Sequence, residues 1–351
     1  LLCRPGAVLN GSGQPYRVFT PFMRALLQVA EPQEPWAVPE QLPPAPEVAS
    51  DALNGWGLHP TKPDWSKGFV WRPGEVGARD KLEQFLKVGL NGYGKGRDFP
   101  CKPTSQLSPH LHWGEISPWT CLHAARAAAE AGKAPATEAD KFVSELVWRD
   151  FSAHLLHHFP HIADTAFHAN FDRMPWRNDP KEWEAFTRGR TGYPLVDAGL
   201  RQLWTFGWMH NRVRMVAGSF LVKHLMTDWR IGEAWFWDTL VDADWASNVQ
   251  NWQWVAGSGA DAAPYFRIFN PFGQGEKFDP DGAYVRRWVP ELAKLPDKYI
   301  HTPWTAPPDV LSRAGVRLGD TYPRPIVDHD FARKRALGAL KTVSDKGDPS
   351  D

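Results

Sequence analysis

Apolar residues recur three and four positions apart through 139–159, 195–206, 209–227 and 230–242, and no stretch alternates in the manner of a strand. A chain with that period buries its apolar side by laying helices against helices, so the main body is expected to be all-α. Local signals agree. Ser117 before Pro118 reads as an N-cap with proline in the first turn, and Gly132 closes the alanine-rich helix that follows. Residues 31–78 carry Pro32, Pro35, Pro39, Pro43, Pro44 and Pro46 without a sustained period and read as a linker that wraps rather than folds. The polar residues from Lys341 onward are expected to fray, and no internal repeat of fixed period is visible.

The chain has 351 residues, beyond the roughly 250–300 at which a single core stops growing, so one large domain with an appendage is expected. Formal net charge is zero, which leaves any polyanion site to a local basic patch. Cys3, Cys101 and Cys121 are too few and too scattered for a disulfide framework or zinc ribbon, and they suit a reducing cytoplasm. No run of 18 apolar residues is present and no secretory signal opens the chain. It starts at Leu1, and its first twenty residues read as the tail of a preceding domain.

Nineteen tryptophans are present. The stretch from Trp204 to Trp254 concentrates them around Asn211 and Arg214, then Asp242 and Asp244, then Asn248, Trp252 and Trp254. Indole is readily oxidised, so tryptophans set among amides and carboxylates suggest a redox cofactor.

Several constellations could carry chemistry. Thr104, Ser105, Gln106, Leu107 and Ser108 form a hydroxyl-rich turn before Pro109, suited to phosphate at a helix start, although capping alone explains such a turn. Upstream, NGYGKGR (91–97) fails the P-loop spacing and reads as an inter-helix turn with Tyr93 and Arg97 available to a ligand. Glu145, Trp148 and Arg149 share one helical face by spacing, as do Asn211, Arg214 and Met215. A salt bridge from Glu145 to Arg149 beside a core tryptophan is the plainer reading of the first face. Asp242 and Asp244 need compensation in so aromatic a setting, and Arg214 is the natural counter-ion. His154, His157, His158 and His161 have helical spacing but lack a cysteine or HExxH partner, so no metal site is expected.

Together, TSQLSPHLHWGEISP, ELVWRDF, TGYPLVDAGLRQL, GWMHNRVRM, DADWASNVQNWQW and DAAPYFRIFNP resemble the helical FAD-binding domain of the photolyase and cryptochrome family, most closely its class I cyclobutane pyrimidine dimer photolyases. PYRVFTPFMRALL (15–27) resembles the end of that family's amino-terminal α/β domain. The resemblance implies residues 1–24 as the end of a truncated antenna domain, 25–78 as interdomain linker, 79–341 as catalytic domain and 342–351 as tail. It implies FAD, reduced and anionic when active, held by Tyr93, Thr104, Ser105, Gln106, Leu107, Ser108, Arg214, Asp242, Ala243, Asp244 and Asn248. A folate or deazaflavin antenna pigment is implied only with the α/β domain present.

The same resemblance implies light-dependent repair of flipped-out cyclobutane dimers in UV-damaged DNA by a monomeric, cytoplasmic protein of bacterial type. Glu145, Trp148, Asn211, Met215, Asn248 and Trp254 would be catalytic, and Trp252, Trp229 and Trp176 would relay electrons. Arg97, Arg149, Arg212, Arg267, Gly273 and Lys277 would meet the DNA with Glu145, Trp148 and Asn211. The alternatives are a cryptochrome-type blue-light receptor and a DASH-like photolyase restricted to single strands.

Overall fold

The computed structural model describes residues 1–30, 37, 39–59, 62–261 and 266–344. Residues 31–36, 38, 60 and 61 of the expected linker, 262–265 of the DAAPYFRIFNP string and 345–351 of the expected tail lie outside the described residues. Among the described residues sixteen α-helices follow in order: α1 Phe19–Val29, α2 Glu75–Val88, α3 Tyr93–Gly96, α4 Ser108–His112, α5 Pro118–Glu130, α6 Ala136–His158, α7 Pro180–Thr187 and α8 Pro194–Phe206, then α9 Asn211–Ser219, α10 Trp229–Thr239, α11 Trp245–Ala256, α12 Pro271–Phe278, α13 Ala283–Trp288, α14 Asp297–Ile300, α15 Pro308–Ala314 and α16 His329–Ser344. Extended pairing among the described residues is limited to two isolated bridges, Leu9 with Pro15 and Leu318 with Tyr322. The all-α expectation holds, and no described helix is long and apolar enough to cross a membrane.

The helix signals read from sequence act as expected at α5: the Ser117 hydroxyl accepts the Trp119 N–H at 3.2 Å, and Gly132 sits at φ 71 beyond its end. The segment 209–227 does not form one helix. It starts as α9, widens into a π-helical turn over Phe220–Leu225, and stops at Met226, whose φ is 55. The segment 230–242 ends early, at Thr239, because Val241 donates its N–H to Gly207 across the fold and Asp242 enters the turn that starts α11.

Among the described residues, two large apolar cores and one small cluster result. One gathers α8, α9, α10 and α13 around Phe220, Trp229, Trp252 and Tyr284. The other gathers α1, α2, α5 and α6 around Phe22, Phe85, Phe142 and Phe151. Helix α11 serves both, with Trp252 and Val255 in the first and Val249 in the second. The amino-terminal segment packs into the second core through Leu2, Val8, Phe19, Phe22 and Leu26, and the Leu2 N–H donates to Asp150 at 2.7 Å.

A glycine sets how closely α10 and α11 approach. A Cβ on Gly232 would lie 2.3 Å from the Trp252 ring and 2.7 Å from a Leu221 methyl. Gly232→Ala would raise helix propensity by up to ~1 kcal/mol, yet overpacking of this kind costs about 1–3 kcal/mol. The net effect is expected to be destabilising by ~1–2 kcal/mol in urea unfolding, and an unchanged or raised midpoint would show that the ring yields freely.

Candidate active site

A cavity of about 440 Å³ lies where α3, α6, α9 and α11 meet. Its walls include Tyr93, Arg97, Ser105, Ser108, Glu145, Trp148, Arg149, Asn211, Arg214, Met215, Asp242, Ala243, Asp244, Asn248, Trp252 and Trp254. Residues spread over more than 160 positions of sequence are thus brought to one concave surface, the usual form of a small-molecule site.

Helix α6 supplies Glu145, Trp148 and Arg149 from one face, but not as the ion pair that i,i+4 spacing suggests. Glu145 is held by Arg97 through two bonds of 2.6 and 2.8 Å and by Lys141 at 2.9 Å, while Arg149 donates to the Leu111 carbonyl at 3.2 Å. Arg97 reaches Glu145 because α3 follows a glycine turn, with Gly92 at φ 83, and is fastened to α6 by the Gly94 N–H on Glu138. Burial, then the nearby Glu145 carboxylate, pushes the Tyr93 phenol well up. Trp148 lies flat on Phe19 of α1, with centroids 3.7 Å apart and 4° between planes.

Helix α9 supplies Asn211, Arg214 and Met215, the amide of Asn211 lying 4.0 Å from the Met215 sulfur. Arg214 grips the buried Asp242 with bonds of 2.8 and 3.1 Å and the Met209 carbonyl at 2.7 Å, which supplies the expected counter-ion. Asp244 caps α11 by accepting the Ser247 N–H at 2.8 Å. The Asn248 amide N–H groups go to the Glu233 carboxylate at 2.8 Å and its backbone carbonyl at 3.0 Å, so Oδ1 is the end left to meet a ligand. Burial raises the Glu233 carboxyl, and the Asn248 bond draws it partly back.

Other expected residues fall elsewhere. Thr104 and Gln106 line a second cavity of about 450 Å³ that shares Ser105 with the first, and Leu107 is buried in the second core. Trp252 and Trp229 are buried in the first core, and Trp176 is partly buried at its edge, where it also touches the small cluster of Met174, Met226, Ala339 and Val343. Arg212 pairs with Asp98 at 2.6 Å and lies 4.5 Å over the Phe278 ring, which Lys277 also approaches at 5.0 Å. Arg267 lies over Phe269 at 5.0 Å. The Gly273 N–H is already committed to Asn270 at 3.0 Å, as the cap of α12. Phe19, Lys141, Glu233 and Asp261 were not read from the sequence as site residues. Lys141 stands four residues before Glu145 on α6, a spacing that could have found it; only pairing across the fold reveals the other three, and a proximity across 242 positions, as between Phe19 and Asp261, leaves no periodic mark.

The family profile described as the FAD binding domain of DNA photolyase matches residues 142–342. The chain is 58% identical to a deoxyribodipyrimidine photo-lyase of Agrobacterium fabrum (strain C58), over 98% of this chain and 72% of that protein. It is 43% identical to the Escherichia coli (strain K12) protein of the same name, over 97% of this chain and 70% of that one. A crystal structure of a bacterial class III photolyase from Agrobacterium tumefaciens superposes with a TM-score of 0.94 at 57% identity, covering 99% of this chain and 72% of its own. The chain belongs to the DNA photolyase and cryptochrome family, and its helical body is an FAD-binding domain. This solved relative is described as class III, where the sequence motifs had suggested class I.

The residues present fit that cofactor. Two buried donors in the cavity wall, Arg149 Nη1 and Trp252 Nε1, find no hydrogen-bond partner among the described residues, as expected where a ligand supplies acceptors. Arg214 and the hydroxyls of Ser105, Ser108 and Ser247 add further polar groups to the wall.

Lys223 sits behind the Arg267 segment, donating to the Arg267 carbonyl at 2.6 Å over the Phe266 ring at 4.3 Å. Burial, then Arg267, pushes its ammonium from 10.5 down to about 7. Between those values the unfolded chain binds the extra proton, so folding stability should increase as pH rises from 7 towards 10 and be lost as it falls back. A gain of ~1–3 kcal/mol between pH 7 and 9 is expected in urea unfolding, and Lys223→Met should largely abolish it. An equal rise in the variant would place the titration elsewhere.

Proposed function

We propose that the chain splits cyclobutane pyrimidine dimers in ultraviolet-damaged DNA, driven by light, with FAD reduced and anionic in the principal cavity. The supporting observation is the convergence of Trp148, Trp254, Glu145, Asn211 and Met215 on the same cavity as Arg214, Asp242 and Asn248. When bound, the flavin supplies a photoexcited electron donor close to the lesion, and the electron returns after both inter-base bonds have split, so no net redox change results.

Photolyases are among the enzymes known to take the target base out of the stack. Trp148, braced from behind by Phe19, and Trp254 offer the π-faces against which the extruded dimer stacks. Glu145, fixed by Arg97 and Lys141, and Asn211 hydrogen-bond the pyrimidine edges and respond to the charge that develops there. Met215 fills the pocket beside them. With FAD bound, Arg214 would keep Asp242 balanced beside it, Asn248 would offer its carbonyl oxygen, and Ser105 and Ser108 would serve the diphosphate. Trp252, Trp229 and Trp176 run from buried to partly exposed, and with FAD bound they would relay electrons to it from the surface. Arg149, Arg212, Arg267 and Lys277 make salt-dependent contacts with the damaged strand.

The deciding experiment is illumination of the reduced, flavin-loaded protein with a dimer-containing oligonucleotide, in duplex and single-stranded form, following recovery of pyrimidine absorbance. Recovery in neither would reject repair and favour a light receptor, whereas recovery in single strands alone would place the chain with the DASH-like enzymes. Trp148→Ala should weaken binding to dimer-containing DNA by ~1–3 kcal/mol, the range for loss of one base stack. An unchanged dissociation constant would remove Trp148 from the pocket.

A further inference from the structure

The two aromatic walls of the cavity belong to different helices; Trp254 is bonded to Asp261 directly, and Trp148 is linked to it through Phe19. The Asp261 carboxylate Oδ2 accepts the backbone N–H of Phe19 at 3.2 Å, and its backbone carbonyl accepts the indole N–H of Trp254 at 3.1 Å. Phe19 is the first residue of α1 and carries the ring on which Trp148 lies, 3.7 Å away and nearly parallel. The residue before α1 is Val18, which has no capping oxygen. The first N–H groups of that helix must therefore find acceptors from elsewhere in the fold, and a carboxylate at the positive end of the helix dipole is a favourable one. Asp261 holds a φ of 51, in the left-handed region that non-glycine residues seldom occupy, so tertiary contacts fix the backbone here.

We propose that Asp261 is a positioning residue that sets the spacing and tilt of Trp148 and Trp254, and through them the affinity for the dimer. The inference rests on the reading above that these two rings enclose the lesion. The carboxylate anchors Phe19, the Phe19 ring anchors Trp148, and the Asp261 carbonyl orients Trp254. Asp261 itself does not line the cavity.

The variants Asp261→Gly, Asp261→Asn and Phe19→Leu, in the full flavin-loaded chain, test this. Glycine tolerates the positive φ and keeps the backbone carbonyl but lacks the side-chain acceptor. Asparagine also tolerates that φ and retains an acceptor oxygen. Asp261→Gly should weaken binding to a dimer-containing oligonucleotide about 3–10-fold, the worth of one buried hydrogen bond, with binding to the undamaged duplex unchanged. Asp261→Asn should stay within about twofold of the parent, because the bond is kept. Phe19→Leu should reproduce the glycine loss, and the double variant should add little to either single one, since both act through the same contact.

Parental affinity in Asp261→Gly, a loss in Asp261→Asn as large as in the glycine variant, or additive losses in the double variant would each overturn the proposal. Should Asp261→Gly fail to fold, Phe19→Leu against Asp261→Asn decides, with dimer-specific loss in the first and retention in the second as the supporting pattern. Trp148→Ala is measured alongside. If it binds the dimer normally, the enclosing-ring reading fails and this inference with it. If it loses affinity while Asp261→Gly and Phe19→Leu do not, the role of Asp261 alone is rejected.

Discussion

The close approach of α10 and α11 at Gly232 is the constraint from which much of the site follows. With a side chain absent there, the Trp252 ring lies directly on the α10 backbone, and a Cβ added to Gly218 of α9 would stand 3.7 Å from the same ring. Bringing α10 that near lets Glu233 take both N–H groups of Asn248, which fixes which end of that amide remains for a ligand. Because α11 also packs on α6, one helix sets the distance between Trp254 and the face that bears Glu145, Trp148 and Arg149.

Charge is handled inside the site by pairing rather than by net excess. The chain is neutral overall, and two carboxylates of the cavity are compensated within it, Glu145 by Arg97 and Lys141, Asp242 by Arg214. Such partly buried pairs gain little in stability over apolar packing, but breaking one leaves a costly lone charge. Their effect is to hold side chains at defined positions around a ligand. Outside that set, Arg212 and Lys277 both gather at Phe278, where the ring supports their cations.

Periodicity, with apolar residues recurring three and four apart, made α6 and α8 legible as helices, although α8 is buried on all sides from Pro194 to Leu200. It failed at 209–227, where the apolar pattern continues through a π-helical turn that spacing cannot distinguish from a regular helix. In the site, the residue types were legible and several partners were not. The i,i+4 rule proposed Arg149 for Glu145, but Arg97, 48 positions away, has the bidentate geometry and takes it. Likewise Thr104 and Gln106 stand in the same hydroxyl-rich turn as Ser105 and Ser108, yet Gln106 at φ 50 bends the backbone, and both residues line the neighbouring cavity.

What the sequence determined by itself was composition and period: an all-helical body, a tryptophan-rich centre, and the amides, carboxylates and guanidinium that a flavin site requires. The tertiary structure decided the pairings. Asp261 braces Phe19 and Trp254, Glu233 orients Asn248, and Arg97 claims Glu145, since hydrogen bonds depend on distance in space, and residues tens to hundreds of positions apart acquire that distance only when helices pack.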